Sequence, residues 1–133
     1  MLLKNKTKNK IIVEKIESCR NIFKKAKGLM FSRKENKALI FIFSKEKIVP
    51  LHMLFVFYPI DIIFADKNKK VVEIKENFKP FSFYTPKNKT SYIIELPAGI
   101  IKKSKAEVGD SLSFWEIYGK NIILIIHNSS LRV

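Results

Sequence analysis

This sequence of 133 residues has little cysteine, glycine or proline, and each shortage excludes a class of protein. A single cysteine excludes a disulfide framework within the chain and a zinc site built from several cysteines. Four glycines and five prolines exclude collagen-like and linker-like sequence. Hydrophobic residues make up 47% of the chain, which argues against disorder and is typical of one folded domain with a hydrophobic core.

Positive charge is abundant and unevenly distributed. The formal net charge is +14, and lysine supplies most of the positive charge, because Arg20, Arg33 and Arg132 are the only arginines. Residues 1–27 carry nine positive and two negative side chains, and residues 67–105 carry ten and three. Such a surface attracts a polyanion such as RNA, DNA or an acidic membrane. The alternative is compositional, because AT-rich codons supply lysine, whereas specific nucleic-acid contacts favour arginine.

No targeting or membrane-spanning segment is predicted. The basic residues 1–10 are not followed by the apolar stretch of roughly 7–15 residues that a secretory signal needs. The one candidate span, residues 48–65, contains Pro50, Pro59 and Asp61, and an aspartate is costly in lipid. We therefore predict a cytoplasmic protein without a membrane span.

Short β-branched and aromatic runs between turn signals predict about eight strands. They lie at residues 11–16, 38–43, 48–57, 60–65, 71–74, 91–96, 112–118 and 121–127. Short helices are predicted at 19–27, with Ser18 as the N-cap, and at 97–104. This pattern is typical of a mostly β fold, a compact antiparallel β-barrel or sandwich with one or two short helices. Residues 1–10 are predicted to be a basic flexible arm before a single β domain over 11–133.

Five short segments, in order, resemble the family called domain of unknown function 192. The residues that carry the resemblance are Gly28, Leu29 and Met30; His52 and Met53; Pro59 and Asp61; Glu95, Leu96, Pro97, Ala98 and Gly99; Gly109 and Asp110. The resemblance covers about residues 11–118 and implies a compact, mostly β domain without an established catalytic mechanism. His52 stands where many bacterial relatives carry a tryptophan, and residues 51–57 are more similar to archaeal members.

Three polar residues lie among the predicted apolar strands, namely His52, Asp61 and Glu95. If they converge, the two carboxylates could divide acid and base roles, with the histidine as a further base or ligand. The chain would then be a small-molecule-binding or hydrolytic enzyme with a polar pocket. The alternative is structural: Asp61 bonds backbone N–H groups, Glu95 pairs with a lysine or a helix terminus, and His52 lies at the rim.

Metal and thiol chemistry have little support in the sequence. His52, His127 and Cys19 do not have the spacing of metal ligands, so we predict no metal site and no cofactor. Cys19 lies next to Arg20, but nothing in the sequence places a histidine beside it, so a packed structural thiol is favoured.

Aromatic residues and lysines alternate around the predicted loop 77–89, as they do in platforms for single-stranded nucleic acid. The candidate nucleic-acid-binding residues are Lys75, Lys79, Phe81, Phe83, Tyr84, Lys87 and Lys89. The alternative is a loop that tucks its rings over the end of the barrel and leaves its lysines in water. The first hypothesis is therefore a non-enzymatic binding module for RNA or another polyanion, ahead of an enzyme. A third is an interaction subunit that docks through apolar side chains at 78–84.

Overall fold

Alternating and continuous apolar runs form the strands that make up most of the protein. The computed structural model of the protein describes residues 2–19, 38–118 and 121–123. Its strands are β1 (Leu2–Asn5), β2 (Lys10–Val13), β3 (Glu17–Cys19), β4 (Leu39–Lys47), β5 (Leu51–His52), β6 (Ile60–Ala65), β7 (Val71–Phe78), β8 (Phe83–Tyr84), β9 (Thr90–Pro97), β10 (Leu112–Tyr118) and β11 (Asn121–Ile123). The described residues include one short helix, α1 (Ile100–Ser104).

These strands form three sheets. A five-stranded sheet has the order β3-β4-β9-β6-β7, a four-stranded sheet has the order β11-β10-β1-β2, and β5 pairs with β8. The pairings are antiparallel apart from the parallel pair β3–β4. The prediction of a mostly β, sandwich-like fold is confirmed. A closed barrel is not formed by the described strands, because the five-stranded sheet ends at β3 and β7.

The five-stranded sheet carries a hydrophobic core on each face. The first core packs its Ile40, Ile63 and Ile94 against residues of β1, β10 and α1. The second core packs its Phe41, Ile62 and Phe64 beneath residues of the segments that follow β4 and β7. Because successive residues of a strand point to opposite faces, a strand covered on both sides is apolar throughout. This explains the apolar run 39–43 in β4 and the apolar residues of β6, among which Asp61 is the exception.

The N-terminal residues are not the flexible arm that their charge suggests. Residues 2–5 form β1, which lies between β10 and β2 and pairs with both. Leu3 and Asn5 are fully buried, whereas Lys6 on the same segment is exposed. The prediction of a flexible arm is wrong for these residues. The strand is amphipathic, with buried residues between its lysines, and the sequence analysis considered only the charge.

Three further elements differ from the prediction. In the predicted strand 48–57 only Leu51–His52 is a strand, because a turn joins the N–H of Val56 to the C=O of Met53. Ser18 and Cys19 belong to β3, so Ser18 does not cap a helix there. The rest of that predicted helix, the segment with Gly28, Leu29 and Met30, and His127 lie outside the described residues.

The helix predicted at 97–104 begins three residues later, at Ile100. Pro97 ends β9, and Gly99 occupies the N-cap with a left-handed φ of 90°. Glycine adopts this conformation without the steric cost that a side chain would add. Among the described residues, no helix has the length and apolar character that crossing a membrane requires.

Candidate functional site

Asp61 lies at a structural joint between β6, β7 and α1. Its side chain is buried, with 1% of its surface exposed. Its Oδ1 accepts the backbone N–H of Asn77 at 3.0 Å, and its Oδ2 accepts the N–H groups of Gly99 and Ile101, each at 3.0 Å. A buried carboxylate whose two oxygens both accept backbone hydrogen bonds needs no further partner. These contacts match the structural interpretation of Asp61.

Asp61 and Glu95 face opposite sides of the sheet. In the β6–β9 pairing, Asp61 is opposite Leu96, and Glu95 is opposite Ile62. Cross-strand partners project from the same face of a sheet. Leu96 belongs to the first core and Ile62 to the second, so the carboxylates point away from each other. The predicted convergence of these acids is wrong, because a one-residue offset in register reverses the face.

Glu95 is a partly exposed carboxylate between two fully buried neighbours, Leu39 and Ile62. Desolvation raises its pKa from the ordinary value of 4.5 to about 7. Because unfolding frees the carboxyl to ionise at its ordinary pKa, Glu95 lowers the free energy of unfolding as pH rises between these two values. The hydroxyl of Tyr58, also in the second core, has no hydrogen-bond partner among the described residues, so it does not pair with Glu95.

His52 lies on a separate two-stranded unit that covers the second core. We call this unit, residues 51–57 and 79–84, the aromatic flap. His52 is paired with Phe83 across β5 and β8, and the ladder continues where Met53 N–H donates to Ser82 C=O at 2.8 Å. The N–H of Phe81 donates to Met53 C=O at 2.8 Å. These backbone bonds hold the two segments of the flap together.

The outer side of the aromatic flap is a cluster of exposed phenylalanines. Phe55, Phe57, Phe81 and Phe83 expose 46%, 62%, 52% and 71% of their surfaces. The ring centroid of Phe81 lies 6.5 Å from that of Phe55 and 5.5 Å from that of Phe57, both in edge-to-face geometry. A contiguous exposed apolar cluster of this kind marks a binding surface, whereas single exposed apolar residues need no explanation.

Two of these phenylalanines are held in an unfavourable backbone conformation. Phe55 has a φ of 58° and Phe81 a φ of 56°. A bulky residue with positive φ is rare, and such a conformation costs on the order of 1–3 kcal/mol. Strained residues of this kind cluster at functional sites. The fold therefore keeps two strained residues at positions that hold aromatic rings in solvent.

Tyr84 belongs to the inner side of the aromatic flap. Its ring centroid lies 6.0 Å from that of Phe64 and 6.1 Å from that of Phe78, both buried in the second core. The ammonium of Lys75 lies 5.3 Å from the Tyr84 ring centroid. Of the aromatic candidates from the sequence, Phe81 and Phe83 are thus exposed, whereas Tyr84 is covered.

Sequence reasoning did not identify Phe55 and Phe57 as part of this surface. Both lie in an apolar run that was assigned to a strand, in which alternate rings would be buried. Pro50 and Pro59 bracket that run and are the one signal in the sequence for an irregular segment. No local signal marks Phe55, because bulky residues rarely adopt positive φ.

Glu73 anchors the loop that follows the aromatic flap. Its Oε2 accepts the hydroxyl of Tyr84 at 2.6 Å, and its Oε1 accepts the backbone N–H groups of Lys87 and Asn88 at 2.9 and 3.1 Å. Desolvation raises the pKa of Glu73, but hydrogen bonds from Tyr84, Asn88 and Lys87 outweigh it and lower the pKa. Its hydrogen bond raises the pKa of Tyr84 to about 12.

Replacement of Glu73 by glutamine is expected to loosen this loop. We expect a loss of about 1 kcal/mol in the free energy of unfolding at pH 7, because charge-assisted hydrogen bonds are lost. The partial exposure of the site keeps this loss small, since water can replace part of the bonding. The folded pKa of Glu73 is lowered, so its contribution is present above the ordinary value of 4.5 and is lost as pH falls through the folded pKa.

Urea denaturation of wild type and Glu73→Gln, measured from pH 7 down to pH values below 4.5, tests this expectation. The difference between the two proteins should shrink as pH falls. Glu76→Gln, on the exposed part of β7, is the matched control. An equal loss in both variants would contradict an anchoring role for Glu73.

The exposed charge next to the flap is positive. Lys79, Lys87 and Lys89 are exposed. The carboxylate of Glu73 is engaged by the loop, which leaves Glu76 as the other carboxylate between residues 73 and 89. In the parts of the chain that the structure describes, no three His, Cys, Asp or Glu side chains are grouped as metal ligands.

Comparison with known proteins places this chain in a family. The model of DUF192, described as Uncharacterized ACR, COG1430, matches residues 2–114. The chain belongs to the DUF192 family. Among curated DUF192-like relatives, the UPF0127 protein of Thermococcus sibiricus is 39% identical over 118 residues, covering 87% of this chain and 75% of that protein. The UPF0127 protein PF1050 of Pyrococcus furiosus is 41% identical over 112 residues, covering 83% and 95%.

A solved structure has the same fold as this DUF192 chain. A protein of unknown function from Novosphingobium aromaticivorans superposes with a TM-score of 0.73 at 22% identity, covering 85% of this chain and 82% of that one. At this level of identity the likeness concerns the fold. The archaeal relatives agree with the archaeal-like character expected of residues 51–57.

The residues that carry the DUF192 resemblance serve structural joints where the structure describes them. Asp61 bonds the N–H of Gly99, the last residue of the Leu96-Pro97-Ala98-Gly99 segment. Gly109 has a left-handed φ of 98°, and its N–H donates to Val71 C=O at 2.8 Å. Met53 is buried in the second core beneath the aromatic flap. Asp61 and Gly99 thus hold the start of α1, and Met53 packs beneath the flap.

Proposed function

We propose that this chain is a non-enzymatic module that binds single-stranded nucleic acid on the outer side of the aromatic flap. The observation that carries the proposal is the ring cluster of Phe55, Phe57 and Phe81, with Phe83 exposed on β8 of the same hydrogen-bonded flap. Proteins that bind single strands without strong sequence preference stack bases on such rings and hold the phosphates with basic groups.

The rings are held in place before any ligand binds. The ladder between β5 and β8 and the N–H of Phe81 bonded to Met53 C=O hold the flap, and edge-to-face contacts hold Phe81 between Phe55 and Phe57. A preorganised surface loses little conformational freedom on binding, so more of the stacking energy appears as affinity.

The charges around the flap favour an anionic ligand. Lys79 lies two residues from Phe81, and Lys87 and Lys89 follow Tyr84 on the loop that Glu73 holds. Lysines act as point charges for phosphates and carry no sequence information, which suits binding of the backbone with bases stacked on the rings. Apolar docking of a neutral protein partner would make no use of these lysines.

The polar candidates support a ligand contact more than a catalytic site. His52 is exposed beside Phe83, and its Nδ1 accepts the N–H of Leu54 at 3.3 Å. In the neutral ring the proton is then on Nε2, which provides a donor for a base edge or phosphate. Asp61 and Glu95 lie on opposite faces of the sheet, so a hydrolytic site around the three residues is not proposed.

Substitution of Phe57 or Phe83 by leucine tests the proposal. Leucine keeps apolar bulk but removes the aromatic face, and each substitution should cost about 1–3 kcal/mol, or roughly 5- to 150-fold in Kd. The measurement is fluorescence anisotropy of a labelled oligothymidylate at low salt. Both side chains are mostly exposed, so the folded state should tolerate the change.

Val108→Ala is the matched control, since Val108 is 59% exposed and lies outside the flap. It should leave Kd unchanged, and a duplex of equal length should bind the wild type more weakly than the single strand. Wild-type affinity in both leucine variants, or equal affinity for duplex and single strand, would contradict base stacking on the flap.

A further inference from the structure

A second group of lysines meets where the N-terminal turn crosses the β6–β7 turn. The N–H of Lys6 donates to Ser111 C=O at 2.7 Å, and Ser111 is also paired with Lys70 in an antiparallel bridge. The N–H of Ser111 donates to Oγ1 of Thr7 at 2.8 Å. Three distant parts of the chain thus meet at Ser111, and they carry Lys6, Lys70 and the hydroxyl residues Thr7 and Ser111.

Lys6 and Lys70 lie on segments that meet at Ser111. Lys6 and Lys70 are exposed, and neither forms an ion pair with a described residue. Burial lowers the pKa of Lys69, and the positive charge of Lys6 lowers it further. Lys69 and Lys6 are therefore close enough to repel each other. A cluster of like charges of this kind attracts an anion.

The nearest carboxylates have other partners. Oδ1 of Asp66, in the same turn, accepts the backbone N–H groups of Asn68 and Lys70 at 2.8 and 3.0 Å. Asp110, next to Ser111, accepts Asn5 Nδ2 at 2.6 Å and forms an ion pair with Lys8 at 3.5 Å. The oxygens of these carboxylates are thus bonded to backbone donors, Asn5 and Lys8, and neither carboxylate forms an ion pair with Lys6 or Lys70.

The edge strand β7 links this lysine group to the aromatic flap. It begins at Val71, directly after Lys70, and its eight residues span about 26 Å before the flap loop begins. The loop after the flap lies along the same strand, because Asn88 Nδ2 donates to Val72 C=O at 3.4 Å and Lys87 N–H donates to Glu73. Lys87 therefore lies between the two ends.

We propose that Lys6 and Lys70, with the hydroxyls of Thr7 and Ser111, form a phosphate-binding site that extends the single-strand path from the aromatic flap along β7. This inference rests on the proposed function, since the flap supplies the stacked end of the same strand. Lysine ammonium and hydroxyl groups are ordinary donors to phosphodiester oxygens, and they hold the backbone irrespective of sequence.

The length of the oligonucleotide separates this site from the flap. Single-strand sites cover roughly 4–16 nucleotides, so an oligothymidylate near the lower limit should occupy the flap alone, and one near the upper limit should reach both. In the double variant Lys6→Gln, Lys70→Gln, the long oligomer should bind more weakly, and its slope of log K against log salt should fall by about 1.4, or 0.7 for each contact. The short oligomer should bind as it does to the wild type.

A control with the same loss of charge is the double variant Lys45→Gln, Lys102→Gln, whose lysines are exposed and lie outside the two turns that meet at Ser111. It should change the salt slope of neither oligomer. Equal effects of both double variants, or an effect on the short oligomer as large as on the long one, would overturn the Ser111 site while leaving the flap proposal intact. If the phenylalanine variants bind both oligomers as the wild type does, the proposed function fails, whatever the lysine variants do.

Discussion

Replacement of Asp61 by alanine is expected to lower the free energy of unfolding by about 3–5 kcal/mol. The carboxylate is 1% exposed and accepts the backbone N–H groups of Asn77, Gly99 and Ile101. Alanine leaves these donors without an acceptor in a place that water hardly reaches, and each buried unsatisfied donor is costly. Because the bonds join β6 to the end of β7 and to α1, the loss destabilises the fold as a whole.

The variant Asp61→Asn tests the hydrogen bonds alone, because asparagine has nearly the same volume as aspartate. Its amide keeps one acceptor oxygen, but its NH2 group must face either Asn77 N–H or the two donors at the start of α1. We therefore expect a loss of about 2–3 kcal/mol, closer to alanine than to wild type. Urea denaturation at pH 7 measures both values, with the exposed Glu76→Ala as control. A stable Asp61→Asn variant would show that the carboxylate is not needed as a double acceptor.

Replacement of Asp110 by alanine is expected to cost about 2–4 kcal/mol in the free energy of unfolding. Oδ2 of Asp110 accepts Asn5 Nδ2 at 2.6 Å and the N–H of Glu107 at 2.9 Å, and Lys8 Nζ lies 3.5 Å away. Asn5 is fully buried in β1, so its amide would lose its partner without gaining water. β1 would lose its side-chain bond to the turn at Gly109 but keep its backbone pairing with β10.

Comparison of two substitutions and a double-mutant cycle tests this tie. Asp110→Asn keeps an acceptor oxygen and loses only the charge, so it should cost less than Asp110→Ala. The cycle with Asn5→Ala should give a coupling energy of about 1.5–3 kcal/mol, because the bond is charge-assisted. A coupling near zero would mean that Asn5 and Asp110 act separately.

The pH dependence of the Asp110 contribution has a defined sign. Desolvation raises the pKa of Asp110, but hydrogen bonds from Glu107 and Asn5 and the charge of Lys8 outweigh it and lower the pKa. A lowered folded pKa means that the contribution is present above the ordinary value of 3.8 and is lost as pH falls through the folded pKa. The difference between wild type and Asp110→Asn should therefore narrow under acid conditions.

The strands of the two-sided sheet were predictable because their pattern is local. Continuous apolar residues at 38–43 and 60–65 are typical of strands covered on both faces, and β4 and β6 are such strands. The hairpin β6–β7 follows from the polar turn at 66–70, and the last hairpin from the apolar runs on either side of Gly119. Each of these features depends on residues that are neighbours in the chain.

The candidate site was predictable only in part. Phe81 and Phe83 are exposed near lysines, as the interleaved pattern suggests, but the same pattern also includes Tyr84, which the second core covers. Phe55 and Phe57 join the cluster from a segment more than 20 residues away. Stacking of rings from two segments depends on the β5–β8 pairing, which no local pattern specifies.

The β class, the positions of the two-sided strands, the family and the lysine excess in two stretches were all predictable from the chain, because composition and periodicity are properties of neighbouring residues. The fold is needed to see that Asp61 and Glu95 face opposite ways, that the N-terminal lysines border a paired strand, and that four phenylalanines are exposed on one flap. Strand register and long-range pairing set these relations. A shift of one residue in the register of a strand would turn every side chain of that strand to the other face of the sheet, although the local sequence pattern would stay the same.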